Sequence, residues 1–250
     1  MQKLGIEVTY LFNSGFFVET QRYLFLFDYF KDQAHSLSPG KKRPDQSRVQ
    51  KIMHTDKHVL IFASHSHADH FNSVILQWIA FNNKINYILS NDIKAPRLEE
   101  TLMKRVKMIG AYEELVLEEA KIKTFGSTDQ GVSFLVQADG LNIFHAGDLN
   151  WWDWSDEPEE ERRLAERRFN EEIAKLKGEE IDLAFFPVDP RLEHNYANGG
   201  KRLIKELRPK VFIPMHFGVN YEIIDRFAEE VKNLGAKVIR INSSPQRILL

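Results

Sequence analysis

The sequence contains no cysteine among its 250 residues. This absence excludes disulfide-stapled folds, thiolate zinc sites and cysteine nucleophiles, so any bound metal must be held by histidine or carboxylate side chains. A strong excess of one charge is absent as well, since 34 basic residues face 36 acidic ones and the formal net charge is −2. Because nucleic-acid-binding surfaces usually carry a basic excess, we expect no stable nucleic-acid complex.

Long apolar runs are also missing. The N-terminus lacks a basic start followed by an apolar stretch, and no segment reaches the roughly 18 apolar residues that span a bilayer. We therefore expect a protein without membrane association, located in the cytoplasm. The hydrophobic fraction of 43% in a chain of this length predicts a folded globular protein with a substantial core.

Short apolar or alternating segments predict many strands, and helical spacing of apolar residues predicts several helices. The predicted strands are 6–12, 16–20, 23–27, 59–63, 85–89, 115–117, 122–125, 132–137, 141–144, 183–186 and 211–214. The predicted helices cover 74–81, the segment from near Pro96 through Val106, 158–180, and a segment that begins at Asn198. Residues 31–57 form a polar excursion with a basic cluster at 41–43; we interpret it as a surface loop, with a lid over a site as the alternative.

Both parts of the chain mix hairpins with βα units. This order predicts an α/β (α+β) fold in which two mixed β-sheets form a sandwich flanked by helices. We expect one domain over residues 1–250, composed of two halves at about 1–118 and 119–250.

A cluster of histidines is the outstanding feature. Directly after the predicted strand that ends at Ala63, four ligand-type side chains occur within six residues: His65, His67, Asp69 and His70. Imidazole and carboxylate groups suit zinc, manganese or iron, and the ends of strands commonly carry functional groups. Two later strand ends carry residues of the same kind, namely His145 with Asp148 in HAGD, and His216 in PMHFG.

With these motifs, the sequence resembles the metallo-β-lactamase superfamily, whose H-x-H-x-D-H signature stands at residues 65–70. It looks closest to the branch that holds ascorbate 6-phosphate lactonase and related lactonases and phosphodiesterases. The resemblance implies a four-layer αββα sandwich and a binuclear site with one or two divalent ions, zinc being expected and manganese or iron being alternatives. It also implies that His65 and His67 bind metal 1, that Asp69, His70 and His216 bind metal 2, and that Asp148 bridges the two.

One departure from the family pattern concerns metal 1. The family usually places a further histidine in the segment that corresponds to residues 125–131, and no histidine stands there. Asp129, a water molecule or His145 could complete the ion, or metal 1 could be weakly held. Strand alternation points His145 away from the face of Asp148, which favours a supporting role in catalysis over ligation.

The expected reaction is hydrolysis, in which a metal-bound hydroxide attacks a carbonyl or phosphorus centre of a small anionic ester, lactone or phosphodiester. Asp69 is the expected proton acceptor, and His145 is a second catalytic candidate. Arg191 and His194 lie on a loop that we expect to bind the anionic part of the substrate, the alternative for this loop being a surface turn with an ion pair. Another alternative is a degenerate member that uses its metal site to hold a ligand or a partner without catalysis. Assembly into homo-oligomers is left open.

The three tryptophans at 151, 152 and 154 follow Asp148 closely. They could form a wall at the mouth of the active site or pack in the core, and the sequence favours neither alternative.

Overall fold

The structure is a computed structural model, and it describes residues 4–30, 47–94 and 99–250. The chain divides into two compact units, Met1–Ile109 together with Ser243–Leu250, and Gly110–Asn242. Each unit contains one seven-stranded mixed sheet.

Strands and helices are numbered in chain order. The strands are β1 (Glu7–Phe12), β2 (Gly15–Glu19), β3 (Tyr23–Phe27), β4 (His58–Ala63), β5 (Ile85–Ser90), β6 (Val106–Ile109), β7 (Glu114–Leu117), β8 (Ala120–Phe125), β9 (Ser133–Ala138), β10 (Leu141–His145), β11 (Leu183–Pro187), β12 (Val211–Met215), β13 (Lys237–Val238) and β14 (Gln246–Leu249). The α-helices are α1 (Ser47–His54), α2 (Glu100–Met103), α3 (Glu159–Lys175), α4 (Asn198–Leu207) and α5 (Glu222–Val231). Among the described residues, two 3₁₀ helices cover Ser73–Ala80 and Pro190–Asn195.

The sheet of the first unit has the strand order β14-β1-β2-β3-β4-β5-β6. Strands β3 to β6 run parallel, and every residue of β3 and β5 is buried, as expected for parallel strands covered on both faces. Because β2 is antiparallel to β3 with Phe16 opposite Phe27, the β1–β2 turn lies at the edge where β3 ends. This edge therefore gathers the β1–β2 turn and the segments that follow β3, β4 and β5.

The sheet of the second unit has the order β13-β12-β11-β10-β9-β8-β7. Strands β10 to β13 run parallel, whereas β7 to β10 form an antiparallel meander. Since His145 at the end of β10 lies opposite Phe134 near the start of β9, the β8–β9 loop lies at the same edge as the ends of β10, β11 and β12. The residues that follow these parallel strands carry the functional groups described below.

The two mixed sheets predicted from sequence are confirmed, and the helix predicted over 158–180 is present as α3. Val106, predicted to lie on a helix, instead begins β6, because it pairs with Tyr87 of β5. The predicted helix over 74–81 is a 3₁₀ helix, and the predicted polar excursion contains α1. Two predicted features lie outside the described residues. They are most of the predicted loop or lid with its basic cluster, in residues 31–46, and the predicted helix start, in residues 95–98.

The sequence interpretation missed three elements near the C-terminus: α5, β13 and β14. Strand β14 pairs with β1 and so places residues 243–250 in the first unit. A single domain with halves at about 1–118 and 119–250 stays a prediction. None of the helices in the described ranges combines the length and the apolar composition that crossing a bilayer requires.

Candidate metal centre

The H-x-H-x-D-H segment forms the loop after β4 and gathers its four ligand-type side chains. His65 and His70 are fully buried, and their ring centroids lie 4.1 Å apart. A ligand nitrogen of His65 and one of His67 lie within 4.8 Å of each other. The Nε2 atom of His70 lies 3.6 Å from a carboxylate oxygen of Asp69. The loop thus offers two close pairs of ligand atoms.

Asp28, directly after β3, orients two of these histidines. Its fully buried carboxylate accepts hydrogen bonds from the backbone N–H and the hydroxyl of Ser64, each at 2.7 Å, and lies 2.7 Å from Nδ1 of His70. A carboxylate only accepts, so Nδ1 of His70 carries a proton, and in the neutral imidazole Nε2 keeps its lone pair. The Ser64 hydroxyl, having donated to Asp28, accepts from Nδ1 of His65 at 3.0 Å. Both buried histidines therefore present Nε2, the form in which imidazole binds a metal.

Two further residues that the sequence interpretation missed hold the same loop. Asn13, in the β1–β2 turn, donates from its side-chain amide to Asp69 over 3.1 Å. Its φ of 52° lies in the left-handed region, which asparagine tolerates better than most residues. Asp92, after β5, accepts the backbone N–H of Ser66 at 2.8 Å. Both lie at strand ends, but only their tertiary contacts connect them with the loop.

In the second unit, the structure brings Asp148 and His216 together. Both are buried, and Nε2 of His216 lies 3.4 Å from Oδ1 of Asp148. Two ligands of a tetrahedral zinc ion with bonds of roughly 2.0–2.2 Å lie about 3.4 Å apart. The separation therefore fits two atoms that share one ion. Gly147, with φ 55°, forms the tight turn that carries Asp148 away from β10.

The loop after β11 supports His216. The carboxylate of Asp189 lies 3.0 Å from Nδ1 of His216 and forms an ion pair with Arg191. Burial acts to raise the pKa of the Asp189 carboxyl, but the hydrogen bonds with His216 and Arg191 outweigh it and hold this pKa below its usual value. Asp189 is therefore ionised at neutral pH.

The other predicted residues take different places in the second unit. His145 is fully buried; its Nδ1 accepts the N–H of Gly147 at 3.2 Å, so the ring holds the turn that carries Asp148. Arg191 pairs with Asp189, as the ion-pair alternative described, while its side chain is 61% exposed. His194 is exposed on the same loop. The catalytic and substrate-binding roles of these residues stay predictions.

The three tryptophans divide between packing and the neighbourhood of His216. Trp151 stacks on Phe169 of α3 with the ring centroids 6.5 Å apart. Trp152 donates from its indole N–H to the backbone carbonyl of Asp148 at 3.0 Å and packs edge-on against His216 at 5.7 Å. Trp154 stacks in parallel with Trp152.

The segment that lacks the family histidine is anchored by a threonine. The hydroxyl of Thr128 donates to the backbone carbonyl of Asn150 at 2.6 Å and accepts the N–H of Asn150 at 2.9 Å. These bonds tie the β8–β9 loop to the segment that carries Asp148. Asp129, considered from sequence as a replacement ligand, is exposed, and its backbone N–H donates to Ser127.

The donor set as a whole fits a divalent metal. Histidine nitrogens and carboxylate oxygens are the ligands that zinc, manganese and iron accept in the absence of thiolates. Within each unit the ligand atoms converge, and in His65 and His70 the hydrogen bonds fix the tautomer that can bind a metal.

Comparisons with known proteins show which fold the chain has. No protein-family model matches the chain. The solved structure of YhfI from Bacillus subtilis, described as a metallo-β-lactamase fold protein, is similar with a TM-score of 0.56 and 12% identity, over 98% of this chain and 99% of that chain. Igni18, described as a metallo hydrolase from the archaeon Ignicoccus hospitalis, is similar with a TM-score of 0.64 and 18% identity, over 98% of each chain. The protein therefore has the metallo-β-lactamase fold, as the resemblance in the sequence implied.

At the level of sequence, the chain is similar to a curated bacterial protein. This relative, from Opitutus terrae, is named UPF0173 metal-dependent hydrolase and is 28% identical over 249 residues, which cover 93% of this chain and 95% of that protein. The similarity thus extends over nearly the whole of both chains.

Proposed function

We propose that the protein is a metal-dependent hydrolase that acts on a small anionic ester, lactone or phosphodiester. The observation that carries the proposal is the hydrogen bonding of the histidine loop, in which Asp28 and Ser64 leave Nε2 of His65 and His70 ready for a metal. The name of the Opitutus terrae relative and the shared fold support the same reaction class.

The proposed ligands follow the family pattern. His65 and His67 are assigned to one ion, Asp69, His70 and His216 to the second, and Asp148 to both. Zinc is the proposed metal, with manganese and iron as alternatives, because all three accept nitrogen and oxygen ligands. A divalent ion bound by these residues supplies Lewis acidity and lowers the pKa of a water molecule.

Asp69 is the proposed proton acceptor. Its side chain is 44% exposed, so a proton can enter and leave through solvent, while Asn13 fixes one carboxylate oxygen. Arg191 is the proposed contact for the negative charge of the substrate, because 61% of its side chain is exposed beside His216. His194, exposed on the same loop, is proposed to assist it.

Hydrolysis assays test this proposal. Panels of lactones and bis-aryl phosphodiesters are offered to the metal-free protein, with and without added zinc or manganese. We expect hydrolysis only with metal, and its loss in His67→Ala and Asp148→Asn. His58→Ala is the matched control, since His58 lies at the opposite end of β4 and outside the proposed site. Activity that survives both chelation and His67→Ala would refute the proposal.

A second candidate is a degenerate member that binds metal and a ligand or partner without catalysis. The observation that favours it is the β8–β9 loop, in which Thr128 makes structural hydrogen bonds and no histidine is present. Metal analysis combined with the assay separates the two functions. Metal bound in stoichiometric amount without hydrolysis of any panel member would favour the second candidate.

A further inference from the structure

We propose that Asp189 and Arg191 are positioning residues that act through His216, and that they fix its Nδ1–H tautomer so that Nε2 is directed at the metal. The inference deepens the proposed function and depends on His216 being a ligand. The Nε and Nη2 atoms of Arg191, which bind Asp189, thereby have a role distinct from any contact with substrate.

The carboxylate of Asp189 lies against the imidazole of His216. Asp189 follows β11 and is 1% exposed, while His216 follows the neighbouring parallel strand β12. One oxygen of Asp189 lies 3.0 Å from Nδ1 of His216. A carboxylate can only accept at this distance, which requires a proton on Nδ1; in the neutral imidazole the lone pair is then on Nε2.

Arg191 holds the carboxylate of Asp189 in place. Arg191 makes four hydrogen bonds to Asp189: backbone N–H to Oδ1 at 2.9 Å, Nε to Oδ1 at 3.0 Å, Nε to Oδ2 at 2.9 Å, and Nη2 to Oδ2 at 2.5 Å. A guanidinium that donates to both oxygens fixes the plane of the carboxylate, which a lysine ammonium cannot do. The plane of the carboxylate in turn sets the direction of the bond to His216.

The opposite side of the His216 imidazole faces Asp148. With Nδ1 bound to Asp189, Nε2 lies 3.4 Å from Oδ1 of Asp148, the residue proposed to share the ion. Trp152 packs edge-on against the ring at 5.7 Å and restricts its rotation. The orientation of His216 is thus determined by a hydrogen bond on one side and by an aromatic ring on another, before any metal binds.

The chain offers matched controls at the other end of β11. Asp182 immediately precedes this strand, is buried like Asp189, and pairs with Lys210 at 2.6 Å. Asp182→Asn removes a buried carboxylate beside β11, and Lys210→Ala removes its cation, which immediately precedes β12; neither change touches His216.

The first experiment uses metal-free protein labelled with ¹⁵N-histidine, and His216→Ala identifies the His216 signals by NMR. We expect the Nδ1–H tautomer in the wild type and in both controls. In Asp189→Asn, the side-chain amide can donate to Nδ1, and we expect a shift toward the Nε2–H tautomer. The measurement needs neither metal nor substrate, so a failure of the proposed hydrolysis would leave it interpretable.

The second experiment measures zinc affinity by competition with a chelator. Removing a partner that orients a metal-bound histidine typically costs about 10–100-fold in affinity, so Asp189→Asn should lose that much and both controls should lose little. Arg191→Lys, which keeps the charge at a largely exposed position, should lose part of the affinity and shift part of the tautomer population. If Asp189→Asn keeps the wild-type tautomer and zinc affinity, the proposal is wrong. It is equally wrong if the controls lose as much affinity.

Discussion

Replacing Thr128 by valine should weaken the segment that carries Asp148. Valine has nearly the shape of threonine, so the change removes the hydroxyl and leaves the packing almost intact. The hydroxyl is the partner of both backbone polar groups of Asn150, a residue that is 1% exposed. The variant therefore leaves one N–H and one C=O group without this partner.

The magnitude follows from these two groups. A buried polar group that loses its hydrogen-bond partner costs about 1–3 kcal/mol. Partial relaxation of the loop toward water reduces the sum, and we expect the free energy of unfolding to fall by about 2–4 kcal/mol. Zinc affinity should fall as well, because Asp148 lies two residues before Asn150 and loses a fixed position.

Urea unfolding of the metal-free wild type, Thr128→Val and Thr128→Ser provides the assay. Serine keeps the hydroxyl, so Thr128→Ser should lie much nearer the wild type than Thr128→Val. A Thr128→Val protein whose unfolding free energy lies within about 0.5 kcal/mol of the wild type would refute the reasoning, since surface substitutions typically have effects of that size.

Three other predictions concern the first unit. Asp28→Asn should let His70 take the Nε2–H tautomer and lower zinc affinity about 10–100-fold, measured by competition with a chelator; unchanged affinity would contradict the assigned tautomer. Asn13→Gly keeps the left-handed turn but removes the amide that holds Asp69. We expect kcat to fall with little change in thermal unfolding, and an unchanged kcat would exclude a positioning role for Asn13. Burial acts to raise the pKa of Glu19, but two lysines outweigh burial and lower this pKa. The carboxylate therefore stabilises the fold at pH values above its unfolded pKa, and this contribution is lost as the pH falls through its folded pKa. Glu19→Gln should accordingly lose about 1 kcal/mol at pH 7 and nothing in strong acid, as followed by urea unfolding, and a loss independent of pH would contradict the assignment.

Features that depend on nearby residues were accessible from the sequence. The strands around residues 23–27, 59–63 and 183–186 are continuous apolar runs, and the structure places strands at all three. The histidine loop was accessible because its ligand-type residues lie within six positions after one such strand. A local pattern of this kind identifies both the element and the residue types that it presents.

Contacts between distant residues were not accessible in this way. The bond from Asn13 to Asp69 joins residues 56 apart, and the bond between Asp189 and His216 joins residues 27 apart. Each depends on which strands are neighbours and on their register, which spacing along one chain does not report. A position directly after a strand, as for Asn13 and Asp28, was the visible signal for such contacts.

Tertiary pairing also overrode local periodicity. Leu102 and Val106 are spaced as on one face of a helix, yet Val106 pairs with β5 as part of a parallel sheet. Strand β14 was not predicted, because it is four residues long and its partner β1 lies at the other end of the chain.

Equilibrium dialysis of the metal-free protein against zinc tests most directly the claim that these histidines and carboxylates form a metal centre. We expect at least one tightly bound equivalent in the wild type and in His58→Ala, and its loss in the double variant His70→Ala, His216→Ala. Zinc binding that is absent from the wild type, or that survives unchanged in the double variant, would contradict it.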